Sequence, residues 1–274
     1  MPTNREEYFK AKELSVPETV INFALQEVNG FTRLELTKHF DNEISNQEQF
    51  ESSMKRYLNG EMIEYIFNKA YFLGQPYYVT KDVLIPRQET EQLVIETKTL
   101  IKEMFYDRQI DIADICTGSG AIGVSLKSEL PNSRFVFTDI SKDAIRVAKI
   151  NAKGLNNCLF CVGDMLQPLI ESKIKLDVIV CNPPYIETIE TIDKRTLEQE
   201  PLLALLAKPN TKYYEVIFRY ASLVLKEKYL MAFEIGEDMK ESLTRLVNAY
   251  LPKDEFFFKE DIYGKTRFLF IKHQ

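Results

Sequence analysis

Asp114-Ile-Cys-Thr-Gly-Ser-Gly120 stands where an extended apolar run over 110–116 meets a helical pattern over 119–129. Gly118 and Gly120 let the backbone approach a ligand with no Cβ in the way. In an open α/β sheet, ligands bind at the carboxyl ends of the strands, beside the point where strand order reverses. Thr117 or Ser119 is placed to help cap the following helix. No Gly-Lys-Ser/Thr follows, so this is not a phosphate loop of the Walker kind. Taken alone, the stretch also suits a glycine turn that merely packs a strand on a helix.

Outward from this loop the pattern alternates. Candidate strands at 110–116, 134–138, 158–162, 176–181 and 229–235 are interleaved with candidate helices at 119–129, 141–153, 211–227 and 237–250. Such alternation predicts a parallel sheet covered on both faces. Glu255-Phe-Phe-Phe-Lys259 and Thr266-Arg-Phe-Leu-Phe-Ile271 are joined by a short turn at Tyr263-Gly264 and must pair antiparallel. The expected class is α/β, with a Rossmann-like sheet of seven strands.

The front of the chain differs. Val20, Phe23, Ala24 and Val28 recur at helical spacing before Gly30. Thr32 with Glu35, and Ser45 with Glu48, have capping-box spacing. Phe50, Met54, Tyr57 and Leu58 form one stripe, ended by Asn59-Gly60. A small helical domain over 1–75 follows from this. Tyr71-Phe72, Gly74-Gln-Pro76 and Tyr77-Tyr78-Val79 read as two strands around a turn, and Val83-Leu-Ile85 as a further extended run cut by Pro86. Residues 76–88 are therefore expected to be an extended linker. The main domain is expected over 89–274, opening with a helix marked by Leu93, Thr97, Leu100, Ile101 and Met104.

Composition excludes several classes. A hydrophobic share of 45% and a charged share of 28% rule out disorder or low complexity for the bulk of the chain. The net charge of −6 argues against naked nucleic acid as the main partner, and no direct nucleic-acid contact is expected. No apolar run reaches the ~18 residues of a membrane span, and the first ten residues lack the apolar core of a secretory signal; a cytoplasmic protein is expected. Cys158 and Cys161 have CxxC spacing, yet the two histidines, His39 and His273, lie far away in sequence. On a strand an odd separation puts the two thiols on opposite faces, so buried reduced thiols and no metal are expected.

Three acidic or polar positions sit at strand ends. Asp139 follows the strand ending at Thr138, about 20 residues past Gly120, where a carboxylate can accept both hydroxyls of a ribose. That geometry serves a nicotinamide or an S-adenosylmethionine cofactor equally. Asp164, after Gly163, offers another acceptor or caps the next turn. Asn182-Pro-Pro-Tyr185 follows the strand 176–181 directly. Its two prolines fix φ and remove donors, leaving an Asn carbonyl, a proline carbonyl and an aromatic face. This set suits methylation of a planar nitrogen, whose delocalised lone pair makes it a poor nucleophile. Two acceptors can hold its hydrogens and turn the lone pair toward the methyl carbon, so positioning supplies most of the acceleration.

With these motifs the chain resembles the HemK/PrmC-type peptide chain release factor glutamine methyltransferases. The resemblance runs through Gly60-Glu61 with Tyr65-Ile66, Val83-Leu-Ile-Pro-Arg87 with Glu89-Thr-Glu91, the 114–123 loop, Asp139, Gly163-Asp164 and Asn182-Pro-Pro-Tyr-Ile186. It ends with Glu200-Pro201, Phe233-Glu-Ile-Gly236, and Asp261 with Gly264 and Arg267. A parallel sheet ending in an antiparallel hairpin is also the layout of S-adenosylmethionine-dependent methyltransferases. The family usually has Gly at the position of Cys116 and Pro at that of Gln88.

The resemblance implies an S-adenosylmethionine-dependent enzyme, without a metal, that methylates the glutamine of the Gly-Gly-Gln motif in class I release factors. It implies that Cys116, Thr117, Gly118, Ser119, Gly120, Asp139, Asp164 and Met165 surround the cofactor. Asn182 touches cofactor and substrate; Pro183, Pro184 and Tyr185 touch the glutamine; Asn182, Pro183 and Tyr185 carry the catalysis. By the same resemblance Arg87 and Glu89 either shape the substrate pocket or serve the domain linker, and Glu200-Pro201 is structural or forms a lid. The helical front domain recognises the protein substrate, and a monomer is expected. The rivals are the sibling acting on a ribosomal protein glutamine, an adenine-amino methyltransferase of DNA or RNA, and a cofactor-binding protein without activity. Glu89-Thr90-Glu91 favours the release-factor branch over the ribosomal one.

Overall fold

The computed structural model describes residues 1–106 and 108–274, and the chain divides into two compact units, Met1–Lys69 and Ala70–Gln274.

In the first unit, capping chemistry sets the helix boundaries. The helices are α1 (Asn4–Glu13), α2 (Glu18–Asn29), α3 (Arg33–Lys38), α4 (Gln47–Leu58) and α5 (Ile63–Phe67). Thr3 with Glu6 and Thr32 with Glu35 each close a capping box. Gly30 ends α2 in the left-handed region, at φ 68°. The cap of α4 is Asn46 and not Ser45: the Asn46 carbonyl accepts the Gln49 N–H at 3.0 Å. Asparagine and serine cap about equally well, so the box spacing alone misplaced the start by one residue. Ile21, Ala24, Leu25, Phe50 and Met54 are buried together as the core of this unit.

A hairpin follows, β1 (Lys69–Phe72) and β2 (Gln75–Tyr78), turning through Leu73 and Gly74, both at positive φ (49° and 72°). That is the two-residue turn whose twist matches a hairpin. The division between the units falls after Lys69, the first residue of this hairpin, so the hairpin from Ala70 onward belongs to the second unit. Val83-Leu84-Ile85 bends at Val83 and joins no sheet among the described residues. Ile85 gives its N–H to Oε1 of Glu200 at 3.1 Å, and Pro86 has none to give.

The remaining elements are α6 (Gln88–Phe105), β3 (Asp111–Ile115), α7 (Ala121–Glu129), β4 (Arg134–Asp139), α8 (Lys142–Asn151), β5 (Cys158–Val162), α9 (Gln167–Glu171), β6 (Leu176–Cys181), α10 (Lys194–Gln199), α11 (Lys212–Val224), β7 (Leu225–Glu234), α12 (Lys240–Tyr250), β8 (Glu255–Glu260) and β9 (Thr266–His273). The seven strands lie in the order β5-β4-β3-β6-β7-β9-β8. All neighbours are parallel except β9, which runs antiparallel to both β7 and β8. The strand β7 starts at Leu225, not 229, with an irregular register against Leu176 and Val178.

The sheet has a core on each face. Ile112, Val178 and Val180 point to one; Ala113, Ile179 and Met231 point to the other. Cys158 and Cys161 pack against opposite faces, but β5 is an edge strand, so both thiols are half-exposed rather than buried. Strand order reverses at β3, whose neighbours are β4 and β6. The carboxyl ends of these strands therefore border the crevice where ligands bind in such sheets. Among the described residues, no helix is long and apolar enough to cross a membrane.

Candidate active site

The loop after β3 is held from behind by Asp114. This carboxylate is fully buried, and its Oδ2 accepts the Thr117 hydroxyl at 2.6 Å and the Gly123 N–H at 2.9 Å. Its Oδ1 has no partner. Burial is the main cause that pushes the group up to about 7, and the nearby Asp139 adds to it. The sign of the pH dependence follows. A carboxyl raised on folding stabilises fully below its ordinary value of 3.8 and loses that contribution as pH rises toward about 7. Asp114→Asn keeps an acceptor for Thr117 and Gly123 and removes the charge. The fall in melting temperature between pH 4 and 8 is expected to be smaller in the variant than in the parent. Equal pH slopes in the two proteins contradict this reading of Asp114.

Next in the loop, Cys116 sits at φ 56° and Gly118 at φ 55°. The left-handed region costs a residue with a Cβ about 1–2 kcal/mol, so Cys116 holds a backbone conformation that glycine would adopt more easily. The Cys116 thiol faces Met165, Sγ to Sδ 3.5 Å. A Cβ at Gly118 would meet nothing within 4 Å, so this backbone is open, whereas a Cβ at Gly120 would come within 3.1 Å of Ala148. Gly120 thus serves close packing of α7 on α8, behind the loop. Asp139 closes β4. Its Oδ2 accepts the Gly118 N–H and its Oδ1 the Ser141 N–H, both at 2.9 Å. Burial raises its carboxyl above the ordinary range.

These groups border a cleft of about 1090 Å³, its open mouth included. Cys116, Thr117, Gly118, Ser119, Asp139, Asp164, Met165, Asn182, Pro184 and Arg87 all line it. A second cavity of about 860 Å³ adjoins it, lined by Pro183, Tyr185, Asp193, Thr196 and Glu234 among others. Leu84, Arg87, Asn182, Pro184 and Ala204 belong to both linings. The Asn182–Tyr185 turn, together with Leu84, Arg87 and Ala204, thus lies at the border of the two chambers. Gly120 and Glu89 line neither chamber. Glu89 lies in the first turn of α6, and a helix advances about 100° per residue, so Thr90 faces the cleft in its place. Arg87 is ion-paired with the buried Glu200, which also holds Ile85. This pins the 83–87 segment to the loop carrying Pro201 and Ala204, residues that also line the cleft.

Sequence reasoning passed over four contributors. Thr90 and Glu234 were visible only as letters inside a family pattern. Ile140, 53% exposed beside Asp139, offers an apolar shelf in the cleft, and Tyr213 closes its far wall. Neither of the last two stands in a motif that spacing could reveal.

A seven-stranded sheet with this reversed hairpin, a glycine loop facing a strand-end carboxylate and an Asn-Pro-Pro-Tyr turn define a methyltransferase of the class that uses S-adenosylmethionine. The family model named Methyltransferase small domain matches residues 90–200. A ribosomal protein L11 methylase from Lactobacillus delbrueckii subsp. bulgaricus shares the fold, at 17% identity and a TM-score of 0.50, over 69% of this chain and 81% of that one. The chain is 35% identical over 244 residues to the release factor glutamine methyltransferase of Bacillus cereus, covering 87% of this chain and 86% of that protein. To the Staphylococcus aureus enzyme of the same name it is 32% identical over 262 residues, covering 93% and 92%. The chain belongs to the release factor glutamine methyltransferase family.

Proposed function

We propose that this chain transfers a methyl group from S-adenosylmethionine to the side-chain amide nitrogen of the glutamine in the Gly-Gly-Gln motif of class I peptide chain release factors. The observation that carries the chemistry is the Asn182–Tyr185 turn lying at the border of the two chambers. The relatives' name, release factor glutamine methyltransferase, supports the substrate.

The residues present fit the cofactor. Each Asp139 oxygen takes one backbone N–H and keeps a lone-pair direction for a ribose hydroxyl. The open face at Gly118 admits close approach, and Ile140 and Met165 supply apolar surface for a flat base. When bound, the cofactor supplies a methyl carbon made electrophilic by a sulfonium. The chain's own task is then to place and orient the amide. Asn182 Oδ1 and the Pro183 carbonyl accept its two hydrogens, and Tyr185 bounds the chamber that the glutamine side chain enters. Holding both reactants in this relation lowers the barrier with no strong base needed beforehand.

The test is incubation with labelled S-adenosylmethionine and purified release factor, with intact ribosomal subunits in a parallel reaction, followed by mass mapping. Label on the glutamine of Gly-Gly-Gln is the expected result. Label on a ribosomal protein or on nucleic acid, with none on the factor, overturns the proposal.

The helical front of the chain, placed at residues 1 to about 75 from sequence, is proposed to recognise the protein substrate. Every residue lining either chamber belongs to the second unit, and the first has its own core. A variant lacking the first unit is expected to retain cofactor affinity by calorimetry while losing methylation of the intact factor. Undiminished methylation by that variant contradicts the assignment.

A further inference from the structure

Glu234 ends β7 with its side chain buried beneath the Asn182–Tyr185 turn. Its two oxygens are both engaged from the site. Oε2 accepts the Thr90 hydroxyl at 2.6 Å, and Oε1 accepts the Tyr185 hydroxyl at 3.2 Å. A threonine hydroxyl has one hydrogen and two lone pairs. With that hydrogen directed to a carboxylate, Thr90 can only accept from its other neighbour. That neighbour is Asn182, 3.4 Å away, and only the Nδ2 end of its carboxamide can donate. The carbonyl Oδ1 is then directed away from Thr90. With Glu234 ionised, the order of donors runs from the bottom of the network upward: the carboxylate orients the hydroxyl, and the hydroxyl selects one of two amide orientations.

That selection matters to the chemistry. A substrate amide nitrogen brings hydrogens to the turn. Facing Oδ1 it finds an acceptor; facing a flipped Asn182 it finds another donor and is repelled. We propose that Glu234 is a positioning residue, acting through Thr90 to hold Asn182 in the orientation that receives the glutamine amide. The inference rests on the proposed reaction for its catalytic consequence, and on the hydrogen-bond geometry alone for the orientation itself. Burial raises the Glu234 carboxyl, while the hydroxyls of Thr90 and Tyr185 and the charge of Arg267 favour its ionised form and Glu89 opposes it.

Three substitutions separate this role from a merely structural one. Thr90→Val keeps the shape and removes the hydroxyl, Thr90→Ser restores it, and Glu234→Gln can donate to Thr90 and so reverse the order of donors. Thr90→Val and Glu234→Gln are expected to slow single-turnover transfer by about 10- to 100-fold, the same size of loss as when the hydrogen-bond partner that orients a metal-binding side chain is removed. In Glu234→Gln, whose side chain does not line the cofactor cleft, the cofactor dissociation constant read by calorimetry stays at the parental value, and Thr90→Ser recovers most of the rate lost in Thr90→Val. In an Asn182→Ala background, Thr90→Val should cause no further loss, because the group it orients is gone. Additive losses in that cycle, or a Thr90→Ser variant as slow as Thr90→Val, overturn the proposal.

A second readout needs no substrate. In ¹⁵N NMR, the side-chain NH₂ of Asn182 is expected to be protected from exchange in the parent and unprotected in Thr90→Val. Equal protection in both overturns the positioning role. A parent enzyme that leaves release-factor glutamine unlabelled, yet shows this NMR difference, overturns the proposed reaction and leaves the orientation standing.

Discussion

Replacing Asn182 by alanine is expected to slow methyl transfer by about 100- to 1,000-fold at saturating concentrations of both substrates, the loss typical of one well-placed polar group in a closed site, or about 2.7–4 kcal/mol of barrier. Asn182 and Pro184 are the residues of the turn that line both chambers, and Asn182 alone of the two brings a polar side chain, so it stands where methyl donor and acceptor must meet. Without its carbonyl the amide nitrogen loses an acceptor and rotates freely, and the lone pair is no longer held toward the methyl carbon. Asn182→Asp is instructive. From charge alone a smaller defect would be expected, since an acceptor survives. The structure changes that expectation. An aspartate has no hydrogen to give Thr90, and it adds a second anion close to the buried Glu234. Its rate should therefore fall nearer to that of the alanine variant. Tyr185→Phe retains the ring and loses only what the hydroxyl makes, its bond to Glu234 and its contact with Arg267, so its defect should be the mildest of the three. Single-turnover kinetics separates these effects from binding. An Asn182→Ala enzyme that transfers methyl at the parental rate removes the amide-orienting mechanism altogether.

Loss of the Asp139 carboxylate is expected to weaken S-adenosylmethionine by roughly 1.5–3 kcal/mol, the worth of a hydrogen bond to a charged group. The effect has two sources. The ribose would lose its acceptor, and the N–H groups of Gly118 and Ser141 would lose theirs. The second loss loosens the loop even in the free protein, so Asp139→Ala should also melt earlier than the parent. Asp139→Asn keeps one carbonyl oxygen for either Gly118 or Ser141 and should fall between the two. Calorimetry on the three proteins checks the order. An unchanged dissociation constant in Asp139→Ala means that the ribose lies elsewhere.

Most of the fold could be read directly. The apolar runs of β3, β4 and β6 are short and clean, because strands buried in a parallel sheet carry continuous apolar runs. The two terminal strands betray their antiparallel pairing because the turn between them is too short for a crossover. Boundaries were less legible where two residues compete for one role, as Ser45 and Asn46 do at the start of α4. They also failed where a neighbour supplies the hydrogen bond that a strand would have supplied, as Glu200 does for Ile85. The short α9 and α10 left no periodic signal, since one or two turns do not establish a period.

The division within the site follows the same physics. Gly118, Asp139 and Asn182-Pro-Pro-Tyr185 are legible in the sequence as candidates, because each is a local demand: an open backbone, a strand-end carboxylate, a turn without donors. Covalent spacing places such groups with little help from the rest of the chain. Tertiary structure alone decided which way Asn182 faces. That orientation needs Thr90 from the first turn of α6 and Glu234 from the end of β7, residues separated by 144 positions in the chain. No periodicity links them, because a hydrogen bond between the ends of two distant elements is set by how those elements pack and by nothing in either local sequence.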